Sequence, residues 1–174
     1  NLAKLIYKRW FIDYEFPISK EYANSLNQPS LEGESYKTNK GEMYFIKEIE
    51  KTIPISWQLA SMKELLYLFA GGDKPKKFSK EPNDGLKTPI FSNSTINDGL
   101  YGYTELPKII KKSITISARG GIGFTMIRLS PYFPIVRLLV GIPKNEKDLY
   151  FLYRTIQNLR FDGISSAQQQ LTIP

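Results

Sequence analysis

A chain of 174 residues with 41% hydrophobic content suits one domain with an appendage better than two full domains, and it can bury a core. The formal net charge of +7 and a pI near 9.4 favour a polyanionic partner without identifying it. Cysteine and histidine are both absent. That excludes disulfides, metal sites built on Cys or His, and Ser-His-Asp or histidine-based nuclease chemistry.

No apolar run is long enough to span a bilayer and no signal-peptide pattern is present, so a cytoplasmic protein is expected. The first residue is Asn1 rather than Met, as expected of a piece of a longer polypeptide. Residues 1–16 read as a helix with Leu2, Leu5, Ile6 and Trp10 on one face and Lys4, Lys8 and Arg9 elsewhere. Pro17 stops it. Such a stripe packs either on its own domain or on a partner helix. Residues 17–42 are polar and aperiodic, a linker or loosely ordered loop, and the compact domain is expected to begin near Ile53.

Residues 55–59 alternate as a short strand does. Ser61 and Glu64 have capping-box spacing, which predicts a helix running to about Phe69 and ending at Gly71-Gly72. A basic loop follows over 72–80. Strands are expected at 89–92, 114–118, 124–129 and 135–142. In the last, Val136, Leu138 and Val140 share one face and Ile135, Arg137 and Leu139 the other. An arginine among such neighbours is either paired or facing a ligand. The final helix has Asn145 as N-cap and Asp148 in its first turn. Its apolar stripe is Leu149, Leu152, Tyr153, Ile156 and Leu159, and Gly163 ends it. The fold class is α+β: a single mixed α/β domain with a strand-rich centre, preceded by a helix stub.

A polar, glycine-rich stretch over 88–104 is followed by an arginine-glycine turn within 114–124. Amides, hydroxyls, aromatics and one arginine on short loops suit reading base edges and suit acid–base or metal chemistry poorly. No Asp or Glu has Lys two positions later, as a common metal-dependent nuclease requires, and no Walker A motif occurs. Gly120-Gly121-Ile122-Gly123 lacks dinucleotide spacing and leads into a strand, so a glycine-permitted turn is favoured over a nucleotide site. The candidates for base edges are Ser92, Asn93, Asn97, Tyr101, Tyr103 and Arg119. The plainer alternatives are turn chemistry at Asn97-Asp98-Gly99 and core packing for the two tyrosines. Candidates for phosphates are Lys74, Lys76, Lys77, Lys80, Lys108, Lys111 and Lys112, against the alternative of a solvated face. Arg128 and Arg137 are expected to bond strand ends or a carboxylate rather than DNA.

Several segments together resemble the specificity subunit of type I restriction–modification systems, in its target recognition domain. Trp10-Phe11-Ile12-Asp13-Tyr14-Glu15-Phe16 is similar to the ending of that family's long spacer helix, and Ile53-Pro54-Ile55-Ser56-Trp57 to the segment that opens a recognition domain. The stretch from Pro89 to Thr104, then Ile116 to Phe124, resembles its glycine-rich strand-turn pattern. Residues 161–174 resemble its closing segment, except that Gln168-Gln169 stands where the family more often has Ile-Pro.

The resemblance implies a layout of spacer-helix end over 1–16, linker over 17–52 and DNA target recognition domain over 53–174. It implies two such domains per subunit, each reading half of a split target in double-stranded DNA. Methyltransferase subunits would carry S-adenosylmethionine and methylate an adenine, and a separate restriction or motor subunit would cleave. This chain would itself hold no cofactor or metal and catalyse nothing; no Asn/Asp-Pro-Pro-Tyr motif argues otherwise. Leu2, Leu5, Ile6 and Trp10 would pack on a second helix or a methyltransferase subunit. Two other readings stay open: the recognition domain of a related system that fuses methylation and cleavage, and a basic interaction domain for acidic protein or RNA.

Overall fold

The structure is a computed structural model that describes residues 2–39 and 41–159. The chain divides into two compact units, 1–59 and 60–174.

The first unit opens with α1 (Leu2–Tyr7), which widens into a π-helical turn over Lys8–Ile12. The amide of Asp13 reaches back five residues to the Lys8 carbonyl at 2.9 Å. Leu2, Leu5, Ile6 and Trp10 are all exposed, and Tyr7 is the buried residue of α1. The stretch expected to be a linker is instead folded. Helix α2 (Lys20–Ser25) is capped by the Ser19 hydroxyl, which accepts from the Tyr22 amide at 3.2 Å. Ile18, Ala23 and Tyr36 form a small core, and Phe16 stacks on Tyr36 with centroids 4.6 Å apart. The Tyr36 hydroxyl donates to the Glu42 carbonyl at 2.7 Å. Large rings let a few apolar positions bury enough surface to order a polar segment. Strands β1 (Met43–Ile46) and β2 (Lys51–Pro54) close the unit as an antiparallel hairpin. Residues 55–59 are not the expected strand. The chain turns at Pro54, whose carbonyl accepts from the Trp57 amide, and Trp57 packs between Phe16 and Phe11 instead of alternating along a sheet.

The second unit begins with α3 (Met62–Leu65), where Ser61 and Glu64 complete the expected capping box in both directions. The helix lasts a single turn rather than continuing to Phe69. The run that follows becomes strand β3 (Leu66–Ala70), because tertiary pairing overrides the local helical signal. The remaining strands are β4 (Phe78–Ser79), β5 (Thr88–Phe91), β6 (Leu100–Thr104), β7 (Ser113–Ile116), β8 (Thr125–Arg128), β9 (Phe133–Pro134) and β10 (Leu139–Pro143). Helix α4 (Leu149–Gln157) comes last. One sheet has the order β3-β10-β7-β8 with antiparallel neighbours throughout. The other has the order β4-β6-β5-β9, with β9 parallel to β5.

Alternation along the strands sorts the core into two layers. Leu66, Ile114, Ile116 and Leu139 pack under Leu149, Leu152 and Ile156 of α4. Val140, one residue on, clusters instead with Ile109 and Tyr132, against which Phe69 and Phe91 pack. Asn145 caps as expected, accepting from the Lys147 amide at 3.1 Å. Leu159 lies beyond the helix and is exposed, and Gly163 lies outside the described residues. The expected strand over 135–142 is corrected as well, since only its second half is strand. Val136 and Arg137 have φ of 53° and 57°, and the Leu138 amide donates to the Ile135 carbonyl at 3.0 Å. These two residues therefore form a tight turn of the mirror-image type between β9 and β10. The architecture is mixed α and β with a strand-rich centre and a helix at its start, in agreement with the fold class expected.

Candidate nucleic-acid interface

Strand direction gathers the polar loops of the second unit at one end. The end of β5 leads into residues 92–99, and the end of β7 leads into 117–124. Because Ile116 pairs with Leu139 and Phe91 with Pro134, the 136–137 turn lies at the same end. Asn93 ties the three together. Its Oδ1 accepts from the Ala118 amide at 2.7 Å and its Nδ2 donates to the Val136 carbonyl at 2.5 Å. Its own carbonyl accepts from the Ser117 hydroxyl at 3.1 Å. Asn93, a candidate base reader, therefore spends both ends of its amide on holding loops.

Ser92 is also inward-turned. Its amide and its hydroxyl both reach the Gly99 carbonyl, and Ser94 donates back to it. Asn97 and Asp98 are exposed and both left-handed, with φ of 48° and 53°. The turn is held from below by Arg128, which is buried. Its Nη2 donates to the Asp98 carbonyl at 2.5 Å and its Nε to the Thr115 hydroxyl at 3.1 Å. The guanidinium lies 3.5 Å over the Phe91 ring. Burial pushes its pKa down, opposed by the charges of Tyr132 and Asp98. Arg128 thus bonds a turn carbonyl at a strand end, as expected of it. Gly99 (φ +85°) completes this turn, and a Cβ there would stand 2.8 Å from the Ser92 carbonyl.

Arg119 is exposed on the turn between β7 and β8. Gly120 and Gly123 are left-handed there, and the Gly123 amide returns to Ser117 at 2.9 Å. This is the glycine-permitted turn expected. Tyr101 and Tyr103 are half-buried on β6. Lys80 Nζ lies 3.9 Å over the Tyr101 ring and donates to the Tyr101 carbonyl at 3.2 Å, while Lys74 Nζ lies 4.1 Å over Phe78. The Phe78 and Tyr101 rings are themselves neighbours at 5.7 Å, so two candidate lysines are steered by an aromatic pair.

The lysines do not form one patch. Lys108 reaches the loop end, where a Cβ on Gly72 would stand 3.5 Å from its Nζ. Lys77 pairs with Glu105 at 3.3 Å, and Lys76 is exposed. Lys111 and Lys112 precede β7 and so sit at its opposite end, about 13 Å from the loops by strand rise. Lys112 is also bound to Glu146 at 2.6 Å. The bond raises the lysine pKa and lowers that of the carboxylate. Lys111, Lys112, Lys144 and Glu146 line a cavity of about 500 Å³ with Ile110 and Leu129. Among the described residues, no group of acidic side chains is placed to hold a metal ion.

Residues 54–174 match the family model for the type I restriction modification DNA specificity domain. A Mycoplasma pneumoniae protein named as a type I specificity subunit is 36% identical over 148 residues, covering 85% of this chain and 35% of that one. A second protein of that name from the same organism is 40% identical over 106 residues, covering 61% of this chain and 32% of that one. A crystal structure of a type I restriction-modification S subunit from M. genitalium aligns over 90% of this chain and 36% of its own, at 16% identity and a TM-score of 0.46. The chain thus spans about a third of the length of the curated relatives it matches.

Proposed function

The chain belongs to the type I restriction modification DNA specificity domain family, and from that premise we propose that it reads one half of a bipartite target in double-stranded DNA. The recognition domain would occupy residues 53–174, with the end of a spacer helix at 1–16. The observation that carries the reading is the convergence of three polar loops, bearing Arg119 and Asn97 at their surface, on one end of the second unit. Arginine recognises guanine and asparagine recognises adenine by paired hydrogen bonds in the major groove. Lysines bound to phosphates supply affinity without sequence preference.

The division of labour is the one the family resemblance implies, and what the loops offer supports this chain's part in it. The loops carry hydrogen-bonding groups and positive charge, so recognition is their work. Adenine methylation would fall to methyltransferase subunits and cleavage to a restriction subunit, in the cytoplasm. The exposed Leu2, Leu5, Ile6 and Trp10 would pack on a second helix or on a methyltransferase subunit.

Selection from a pool of randomised short duplexes at low salt, followed by sequencing, tests the reading. Enrichment of a motif of a few base pairs is expected. Retention without a motif would remove half-site recognition by this chain. Preference for single-stranded RNA over duplex DNA would favour the basic interaction domain instead.

A further inference from the structure

Val136 and Arg137 occupy the left-handed region in a turn that contains no glycine, asparagine or aspartate. That conformation is rare for any non-glycine residue and rarer for β-branched valine. It persists only where surrounding bonds over-determine it, and here they do. The Val136 amide donates to the Gly72 carbonyl at 2.9 Å and the Arg137 amide to the Gly71 carbonyl at 3.0 Å. The Gly71 amide returns to the Leu138 carbonyl at 2.8 Å, and Asn93 holds the Val136 carbonyl from the side. A Cβ on Gly71 would come within 2.8 Å of the Pro134 carbonyl carbon, so this docking requires glycine.

The backbone of the turn is thus rigid while both of its side chains are exposed, Val136 to 50%. Nothing in the fold uses them: Val136 lies outside the buried core, and among the described residues the Arg137 guanidinium has no hydrogen-bond or ion-pair partner. One carboxamide, that of Asn93, grips both the Ala118 amide beside Arg119 and the Val136 carbonyl beside Arg137. The two arginines therefore leave the surface from turns an amide's breadth apart.

We propose that Arg137 is a specificity-determining residue that hydrogen-bonds a guanine edge, with Val136 lying against a neighbouring thymine methyl. This rests on the DNA-reading function proposed above. A rigid turn suits the role because a guanidinium delivered from fixed backbone loses little freedom on forming a bidentate bond. An arginine followed or preceded by a small apolar side chain can read the guanine O6/N7 pair and the thymine methyl of adjacent steps.

The test compares the parent chain with Arg137→Gly, selecting each against the same randomised duplexes and titrating the winning sequence and its single-base variants. Glycine is chosen because it accepts the left-handed turn, and thermal denaturation verifies the fold. Arg137→Asn, which also tolerates that conformation, serves as the second variant. The inference expects both variants to lose discrimination at one guanine position by roughly 5- to 150-fold while keeping the rest of the motif. An unchanged motif with unchanged affinity overturns the role of Arg137 and leaves the DNA-reading function standing. A uniform loss across all sequences assigns Arg137 to phosphate and also overturns it. If the parent chain selects no motif at all, the reading itself fails and takes this inference with it.

Discussion

Arg128 illustrates how a single buried side chain sets the shape of a surface it does not reach. Its partners are a turn carbonyl, a hydroxyl and the face of Phe91, so its removal leaves dipoles unsatisfied in a dry site. Arg128→Met keeps most of the stem but neither hydrogen bond. It is expected to cost about 2–4 kcal/mol in urea denaturation and to loosen the Asn97-Asp98 turn. A cost near zero would show that the turn holds its shape unaided. Tyr132 nearby is fully buried, with its hydroxyl 2.8 Å from that of Ser113. Burial pushes its pKa up to about 12, against an ordinary value of about 10 in the unfolded chain. The folded state therefore favours the neutral phenol. Its contribution is complete below pH about 10 and is lost as pH rises towards about 12, at a cost of about 2–3 kcal/mol for this group. Stability measured across that window should fall, and Tyr132→Phe should fall less steeply, after a pH-independent loss from the missing Ser113 partner. Equal slopes would show that Tyr132 does not control the alkaline loss.

At the scale of elements, the turn over 135–138 holds left-handed strain in an exposed place. Val136→Gly removes a β-branched side chain from that region with little buried surface forfeited, since Val136 is half exposed. We expect it to raise stability by about 1 kcal/mol, readable as a shift in the denaturation midpoint. A lowered midpoint would mean that the valine packs more than its exposure suggests. The sequence gives no warning of this turn, because its signals are glycine and asparagine and neither is present. Alternation alone carries the apolar run straight through it. The same reason explains β3: Leu66 to Phe69 continue a capped helix by local pattern, and only pairing with β10, some 70 residues later in sequence, makes them a strand. Where the signal is local, it is legible. The Ser61–Glu64 capping box, the Asn145 cap, the stripe of α4 and the strands β5, β7 and β8 all lie close to where the sequence puts them. The candidate site is legible as loops, less so as residues. The 92–99 and 117–124 segments do converge, but residue type alone could not separate Asn93, which binds backbone, from Asn97, which is exposed.

For the molecule as a whole, a net charge of +7 says that a polyanion is attracted but not where it lands. Position decides which lysines count. Lys108 stands at the loop end beside Gly72, whereas Lys112 stands before β7 at the other end and is already bound to Glu146. A lysine on a phosphate releases a counterion on binding, so its loss should lower the slope of log affinity against log salt by about one. Lys108→Ala is expected to lower that slope and to weaken binding to every duplex alike. Lys112→Ala should leave the slope nearly unchanged, because it frees Glu146 rather than a phosphate. Titrations of one duplex at several salt concentrations distinguish the two. Equal reductions would place DNA along the full length of β7 and not only at its loop end. A reduction for Lys112→Ala alone would move the interface to the basic cavity beside Lys111 and Lys144, and Arg119 and Arg137 would then face away from the bases.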